Sequence, residues 1–486
     1  MKRNLPATLF AIVTLVGGLH AAERKPNFLF IYTDDQRWDA LGVVQREQGE
    51  RARFPWFKTP NFDRLANEGM RFRNAFVTLS LCAPSRAAFL TGRYNHLNGV
   101  IDNHTPFPES NVTHASLMRA AGYRTAYIGK WHHGQQRGQR PGFDYSASFV
   151  GQGRYVDCPV EINGVSTPTT GWIDDVSTDF AIRFMKENKD QPFSIVVGYK
   201  ACHGPTDPPE RAKNRFAGEL ARPVPNLNAR PVYRGGAEDA RGPRPAAGES
   251  PNGVGINLNY FRCVSAADDN VGRLLQALAE LALLEDTVVV FTSDNGFYNG
   301  EHRLGDKRSA YDESLRIPLL VRYPNLVGKG KLNDEMVLNI DVAPTFLELA
   351  GIRVPAEMQG KSWKPLLAGQ KTEWRQSFLA EYFYERNFTG TPTLVALRTK
   401  EAKLIKYPGH EDWTELFDLA NDPYEIKNLA SDPAQQPLLE RMTAEFERQV
   451  KATAYLRPVH ADPEGSVSEG AKGKKGKGKK AAAATE

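Results

Sequence analysis

Residues Asn27–Asp35 read NFLFIYTDD: seven uncharged residues, five of them large and apolar or aromatic, stopped by two adjacent carboxylates. Thr287–Gly296, TVVVFTSDNG, repeats the pattern with Asp294 and Asn295 at the stop. Arg124–Ile128 (RTAYI) leads likewise into Gly129, Lys130, Trp131 and His132, and Phe193–Tyr199 (FSIVVGY) into Lys200 and His203. Short, continuous apolar runs suit strands of a parallel sheet covered on both faces, because neither row of side chains has to meet water. In such sheets ligands bind beyond the carboxyl ends of the strands. The four polar stops are therefore expected to converge on one site.

Helical patterns separate the strands, most clearly in Phe261–Leu284, where Val264, Ala267, Val271, Leu274, Leu278 and Leu281 follow one face. The expected fold class is α/β, a large mixed and mostly parallel sheet sandwiched by helices, with residues 23–360 as the larger, N-terminal unit. After about Gly360 the pattern changes to the short runs Phe378–Tyr384, Leu394–Arg398, Ala402–Tyr407 and Leu416–Leu419, then an amphipathic stretch at Leu438–Val450. These predict a smaller antiparallel sheet with a helix, occupying 361–464. Ala221–Asn257, crowded with Pro, Gly and Arg, reads as a long excursion over the surface.

The ends differ from the body. Lys2 and Arg3 precede an apolar run from about Leu9 to Val16, and the small residues Ala21 and Ala22 follow it. That run is too short to span a bilayer and has the form of a signal peptide, 1–22. The expected location is periplasmic or secreted, with no integral membrane segment after cleavage. Residues 465–486 (GSVSEGAKGKKGKGKKAAAATE) hold almost no large apolar group and are expected to stay disordered. This tail contributes +4 and the leader +2 to a formal net charge of +5, which leaves −1 for the body. No nucleic-acid partner is expected of the folded part.

Asp34, Asp35, Asp294 and Asn295 offer three carboxylates and an amide oxygen, with none of the His or Cys that zinc favours. Hard oxygen donors suit Ca²⁺ or Mg²⁺. One Asp-Asp pair after a strand is more often a turn or helix cap. Two such clusters, each directly after a buried strand, point to a metal.

Cysteine is sparse: Cys82, Cys158, Cys202 and Cys263 in 486 residues, too few for a stapling framework. Whether any of the last three pair is not written in their spacing. Cys82 alone fits a packing residue, half of a disulfide, or a thiolate nucleophile. Its frame is more specific: Cys82–Arg93 reads CAPSRAAFLTGR. This resembles the type I sulfatase motif, CxPSR followed by TGR. Gly122–Gly134 (GYRTAYIGKWHHG), Tyr199–Pro205 (YKACHGP), the stretch Ser293–Pro324 and Glu415–Ala430 (ELFDLANDPYEIKNLA) are similar to further elements of that family. The resemblance runs from about residue 26 to about 430 and implies an alkaline-phosphatase-like fold.

It also implies roles. Cys82 would be oxidised to Cα-formylglycine by a formylglycine-generating or anaerobic sulfatase-maturing enzyme. The aldehyde hydrates to a geminal diol, one hydroxyl of which attacks sulfur. Asp34, Asp35, Asp294 and Asn295, with an oxygen on residue 82, would hold Ca²⁺, or less expectedly Mg²⁺. Arg86 would bind the formylglycine hydroxyl and Arg93 would support the same loop. Lys130 and Lys307 would contact sulfate, His132 would take a proton during sulfate release, and His203 would protonate the leaving alcohol. Glu301 and His302 are candidate substrate contacts. Cys202 stands where the family more often has proline.

The GEHRLGDKR stretch is closest to carbohydrate sulfatases of the iduronate and N-acetylglucosamine type. A sulfated polysaccharide or glycosaminoglycan is thus expected ahead of an aryl sulfate. The rival readings are an arylsulfatase, a phosphonate monoester hydrolase or phosphodiesterase of the same superfamily, and a polysaccharide-binding protein whose Cys82 stays unmodified.

Overall fold

The computed structural model describes residues 25–235, 249–250 and 253–458. The signal peptide read at 1–22 and the tail read at 465–486 lie outside the described residues.

Strands in chain order are β1 (Asn27–Thr33), β2 (Met70–Phe76), β3 (Arg124–Lys130), β4 (Tyr145–Phe149), β5 (Val160–Ile162), β6 (Val165–Thr167), β7 (Phe193–Gly198), β8 (Glu249–Ser250), β9 (Gly253–Val254), β10 (Thr287–Ser293), β11 (Arg316–Ile317), β12 (Leu319–Arg322) and β13 (Lys331–Leu338). All but the β8–β9 pair join one 11-stranded sheet, in the order β11-β2-β12-β10-β1-β7-β3-β4-β5-β6, with β13 beside β2. The middle of that sheet is parallel, β10-β1-β7-β3-β4, and antiparallel pairings flank it on both sides. All four apolar runs singled out above lie in this parallel middle, so their polar stops share one edge.

Alternation explains why the runs are continuously apolar. Phe28, Phe30 and Tyr32 enter one core, whereas Leu29 and Ile31 enter the other. On the first face pack the helices Cys82–Thr91, His114–Ala120 and Val342–Leu349; on the second pack Pro60–Glu68, Ile173–Glu187 and Leu258–Glu280. Phe30 meets Phe89 and Phe346 edge-on, and Phe62 stacks on Phe291 at 4.0 Å. Burying each such side chain contributes about 1.5–3 kcal/mol before ordering entropy is subtracted.

A second sheet, β14 (Ser377–Tyr382), β15 (Leu394–Thr399), β16 (Ala402–Lys406) and β17 (Glu415–Asp418), is an antiparallel meander, followed by the helix Gln436–Ala452. Its apolar face continues the first core, with Phe378 against Phe76 at 5.1 Å. The sequence pattern placed these elements to within one or two residues. The four cysteines are free, buried thiols.

Candidate active site

At the carboxyl end of β1 the ladder runs one step further: the Asp34 N–H donates to the Ala201 carbonyl and the Cys202 N–H to that of Asp34, both at 2.7 Å. Asp35 then turns the chain with φ 66°, a left-handed conformation that aspartate tolerates. The Asp294 N–H donates to the Thr33 carbonyl, so the two acidic stops arrive side by side. Cys82 opens the helix Cys82–Thr91 above them, and Pro84 sits in its first turn, where a missing N–H breaks no intrahelical bond.

Charges interlock. Arg86 donates to Asp294 Oδ2 from Nε at 2.9 Å and from Nη2 at 2.8 Å, to Asp34 Oδ2 at 3.1 Å, and to the Lys130 carbonyl. Lys130 Nζ pairs with Asp34 Oδ2 and donates to Gln152 Oε1 at 2.6 Å. Lys307 Nζ donates to Asp35 Oδ1 at 2.5 Å and to Cys82 Sγ at 3.1 Å, and Cys82 Sγ lies 3.3 Å from Asp34 Oδ1. His203 Nε2 is 3.9 Å from Asp35 Oδ2, while its Nδ1 lies 2.5 Å from the Gly204 carbonyl, so Nδ1 carries a proton. His132, at φ 53°, is buried with Nδ1 unpartnered. The structure thus brings together every candidate catalytic and metal-binding side chain read from the sequence.

Arg86 is expected to bind a hydroxyl of residue 82 that the Cys82 thiol does not carry. Its guanidinium braces the carboxylates and the β3 terminus, and none of its hydrogen bonds goes to Cys82.

Burial dominates the electrostatics. It pushes the carboxyl of Asp34 up, but Lys130, His203, Arg86 and Lys307 together hold it well below the usual range. Asp294 goes the other way, to about 6, because burial and the neighbouring Asp34 outweigh Arg86. Burial and Asp34 push the Cys82 thiol up against the pull of Lys307 and Lys130, so it is no ready-made thiolate. Burial and Lys130 also hold His132 and His203 below the ordinary imidazole value, favouring their neutral forms.

The donor set fits a cation. Ligand atoms from Asp34, Asp35 and Asp294 lie within 4.8 Å of one another, as do atoms from Asp34, Cys82 and His203. Asn295 Oδ1 is buried without a hydrogen-bond partner, and its Nδ2 donates to Asp35 Oδ1 at 2.7 Å. Three crowded carboxylates and an orphaned amide oxygen are what a hard divalent ion needs.

Two expectations change. Glu301 is 1% exposed; Arg37 (2.7 Å), Arg53 and the Asn299 N–H (2.7 Å) occupy its oxygens. His302 is equally buried, stacked on Tyr311 at 3.8 Å and beside Asn226 Nδ2 at 3.1 Å. Both hold the Phe297–Gly305 turn in place, and neither is open to a substrate. His133 is buried against Trp131 and Phe107. Arg93 ties its turn through the backbone: its N–H donates to Thr91 Oγ1 and its carbonyl accepts from Asn98.

The sequence reading missed Gln152, which accepts from Lys130 Nζ and, through its carbonyl, from Lys200 Nζ at 2.9 Å. It also missed Asp174, which accepts the N–H groups of Lys200 and Ala201 and so fixes the loop carrying His203. Gln152 sits in an unpatterned Gly-Gln-Gly loop, and Asp174 reads as an ordinary acidic residue in a first helical turn.

Comparison with known proteins agrees with this geometry. The Sulfatase family matches residues 26–352, and the family N-sulphoglucosamine sulphohydrolase, C-terminal, matches residues 300–452. The chain is 30% identical over 525 residues to the N-acetylglucosamine-6-O-sulfatase of Bacteroides thetaiotaomicron, covering 93% of this chain and 92% of the relative. It is 29% identical over 448 residues to an ulvan-active sulfatase of Formosa agariphila, covering 88% and 81%. A protein solved in complex with its substrate D-glucosamine-2-N,6-O-disulfate superposes with a TM-score of 0.78 at 29% identity, over 89% of this chain and 98% of that one. Because the first match runs unbroken from β1 through Cys82, His203 and Lys307, the chain belongs to the sulfatase family, sulfuric ester hydrolases of alkaline-phosphatase-like fold.

Proposed function

We propose that this protein is exported and removes sulfate from a sulfated carbohydrate, first of all a 6-O-sulfated hexosamine, using a formylglycine formed from Cys82. The observation that carries the reading is the setting of Cys82 Sγ, 3.3 Å from Asp34 Oδ1 and 3.1 Å from Lys307 Nζ. Sγ stands in for the hydroxyl oxygen of the hydrated aldehyde. Asp34, Asp35, Asp294 and Asn295 hold a divalent cation, Ca²⁺ rather than Mg²⁺, which when bound neutralises sulfate oxygens and eases deprotonation of the attacking hydroxyl. That preference rests on the family pattern.

Lys130 and Lys307 orient the sulfate through its nonbridging oxygens. One diol hydroxyl of residue 82 forms the new S–O bond as the bond to the leaving oxygen breaks. His203, whose neutral form carries its proton on Nδ1, acts as the acid only after gaining a second proton at Nε2; it gives that proton to the leaving oxygen, and the proton released by the attacking hydroxyl replaces it. With 19% of its side chain exposed it is the member of the set that meets solvent, as the side facing the sugar must. His132 then takes the proton of the second hydroxyl, the C–O bond to sulfate breaks, and the restored aldehyde hydrates again. Arg86 braces the carboxylates throughout.

The same reading divides the chain into a leader, 1–22, a catalytic unit, 23–360, a C-terminal subdomain, 361–464, and a basic tail, 465–486, and requires a maturing enzyme as partner. The test has two parts. The peptide spanning Cys82 should weigh about 18 Da less than its thiol form, the change on converting CH₂SH to CHO. Purified protein should release sulfate from 6-O-sulfated N-acetylglucosamine faster than it cleaves p-nitrophenyl sulfate or phosphate mono- and diesters. An unmodified peptide from active protein overturns the mechanism, and a large phosphodiester preference overturns the sulfatase reading.

A further inference from the structure

Lys200 is a buried ammonium to which the proposed reaction gives no role. It lies two residues past β7 and is 3% exposed, and a charge so placed is tolerated where its donors find partners. Its N–H donates to Asp174 Oδ1 at 2.8 Å, which fixes where the side chain starts. Its Nζ donates to the Gln152 carbonyl at 2.9 Å and lies 4.9 Å from the centre of the Tyr155 ring, within cation–π range. Gln152 and Tyr155 both belong to the connection between β4 and β5, so Lys200 clips that connection at two points. Tyr155 in turn donates to the His203 carbonyl at 2.9 Å.

The clip bears on the site through Gln152. Gly151 and Gly153 flank it, both at φ 60°, a backbone that turns sharply and carries no side chain to hold the turn. Among the described residues, the bond from Lys200 Nζ is the one hydrogen bond made by the main chain of 151–153. The side chain of the same residue faces the reaction: Gln152 Oε1 accepts from Lys130 Nζ at 2.6 Å. An ammonium has three donors and no acceptor. One donor of Lys130 goes to Asp34 Oδ2, a carboxylate that Arg86 also holds, and a second goes to Gln152, so these two bonds set the direction of the third. With Asp34 braced, Gln152 is the partner whose position can change that direction. Burial, and after it the charge of Lys130, lower the Lys200 ammonium to about 8, so the two cations sense each other across Gln152. We propose that Lys200 is a positioning residue for Lys130: it fixes the Gln152 main chain, and the Gln152 amide oxygen aims the Lys130 ammonium at the sulfate. The inference rests on the sulfatase reading, in which Lys130 holds the sulfate.

A double-mutant cycle tests this in full-length mature protein whose Cys82 peptide is equally modified throughout. Sulfate release is followed from 6-O-sulfated N-acetylglucosamine or p-nitrophenyl sulfate, whichever the wild type cleaves faster. Lys200→Met and Gln152→Leu should each lower kcat/KM by about tenfold, and Lys130→Met by about 10²-fold or more. In the Lys130→Met background neither Lys200→Met nor Gln152→Leu should lower it by more than about twofold, because the group through which they act is gone. A residue that merely supports the fold, or that acts through Tyr155 on His203, would cost the same factor in both backgrounds. Thermal melting checks folding, and Lys200→Gln, whose shorter side chain falls short of the Gln152 carbonyl, replaces Lys200→Met if that variant unfolds. Equal losses with and without Lys130, or a Lys200 variant within about twofold of the parent, overturn the proposal while the sulfatase reading stands. Absence of sulfate release by the mature wild type removes the sulfatase reading and the proposal with it.

Discussion

Lys307 Nζ stands 3.1 Å from Cys82 Sγ. Its other hydrogen-bond acceptor is Asp35 Oδ1, so one buried ammonium links the nucleophile position to a candidate cation ligand. A cation aimed at charge that develops only during reaction acts mainly on turnover. Lys307→Met should lower kcat by about 10²–10³-fold, with a smaller effect on KM. The comparison is made on preparations whose Cys82 peptide is equally modified. Turnover within a few-fold of the parent would take Lys307 out of the reaction.

Asp294 and Asn295 give the cation its own signature, independent of turnover. Dialysis against a chelator should lower the melting temperature, and Ca²⁺ at a hundred times its dissociation constant should restore about 2.7 kcal/mol. Asn295→Ala removes the orphaned acceptor and should weaken that restoration without abolishing the fold. Identical melting with and without the ion would deny the site a resident metal. Stronger restoration by Mg²⁺ than by Ca²⁺ would reverse the proposed preference.

Glu301 is the case in which a site-like motif does structural work. Arg37 is held in its charged form by Asp39 despite burial, whereas burial and Arg37 push Arg53 down to about 9. Removing the carboxylate leaves two guanidinium groups facing each other in the interior. Glu301→Gln should cost about 3–5 kcal/mol of stability, as expected when one partner of a buried ion pair is lost. Denaturant unfolding measures this; unchanged stability with a raised KM would instead return Glu301 to the substrate.

How far the sequence could be read follows from what each signal depends on. Strand ends were legible because continuous apolar runs stop at polar residues for one reason, burial on both faces, and β1, β3, β7 and β10 obey it. Cys82, Lys130, His203 and Lys307 were singled out because their short segments resemble motifs of a known family, and the fold brings them together. Gln152 and Asp174 were not, because their importance comes from contacts across 22 and 26 residues or more and their own surroundings carry no periodicity. Glu301 was misread for the same reason: its partners Arg37 and Arg53 lie 264 and 248 positions earlier, and only the fold shows that they claim its oxygens.

His114 lies away from the site and supplies a pH dependence of its own. It opens the helix His114–Ala120, is fully buried, has no hydrogen-bond partner on either ring nitrogen, and meets Phe346 edge-on at 5.4 Å. Burial alone lowers its pKa from 6.5 to about 3. Between those values the unfolded chain binds a proton that the folded chain does not, so this contribution is present in full above pH 6.5 and is lost as the pH falls toward 3. From pH 7 to pH 5 the loss is about 2 kcal/mol, at about 1.4 kcal/mol per unit. His114→Leu removes the titrating group and keeps an apolar side chain against Phe346. The stability difference between pH 7 and pH 5, measured by urea unfolding, should therefore shrink by about 2 kcal/mol in the variant. A residual slope should persist, because burial holds His133 well below its ordinary value and His302 at about 3. An unchanged difference would show that His114 gains a proton in the folded protein as readily as in the unfolded chain, which its apolar surroundings forbid.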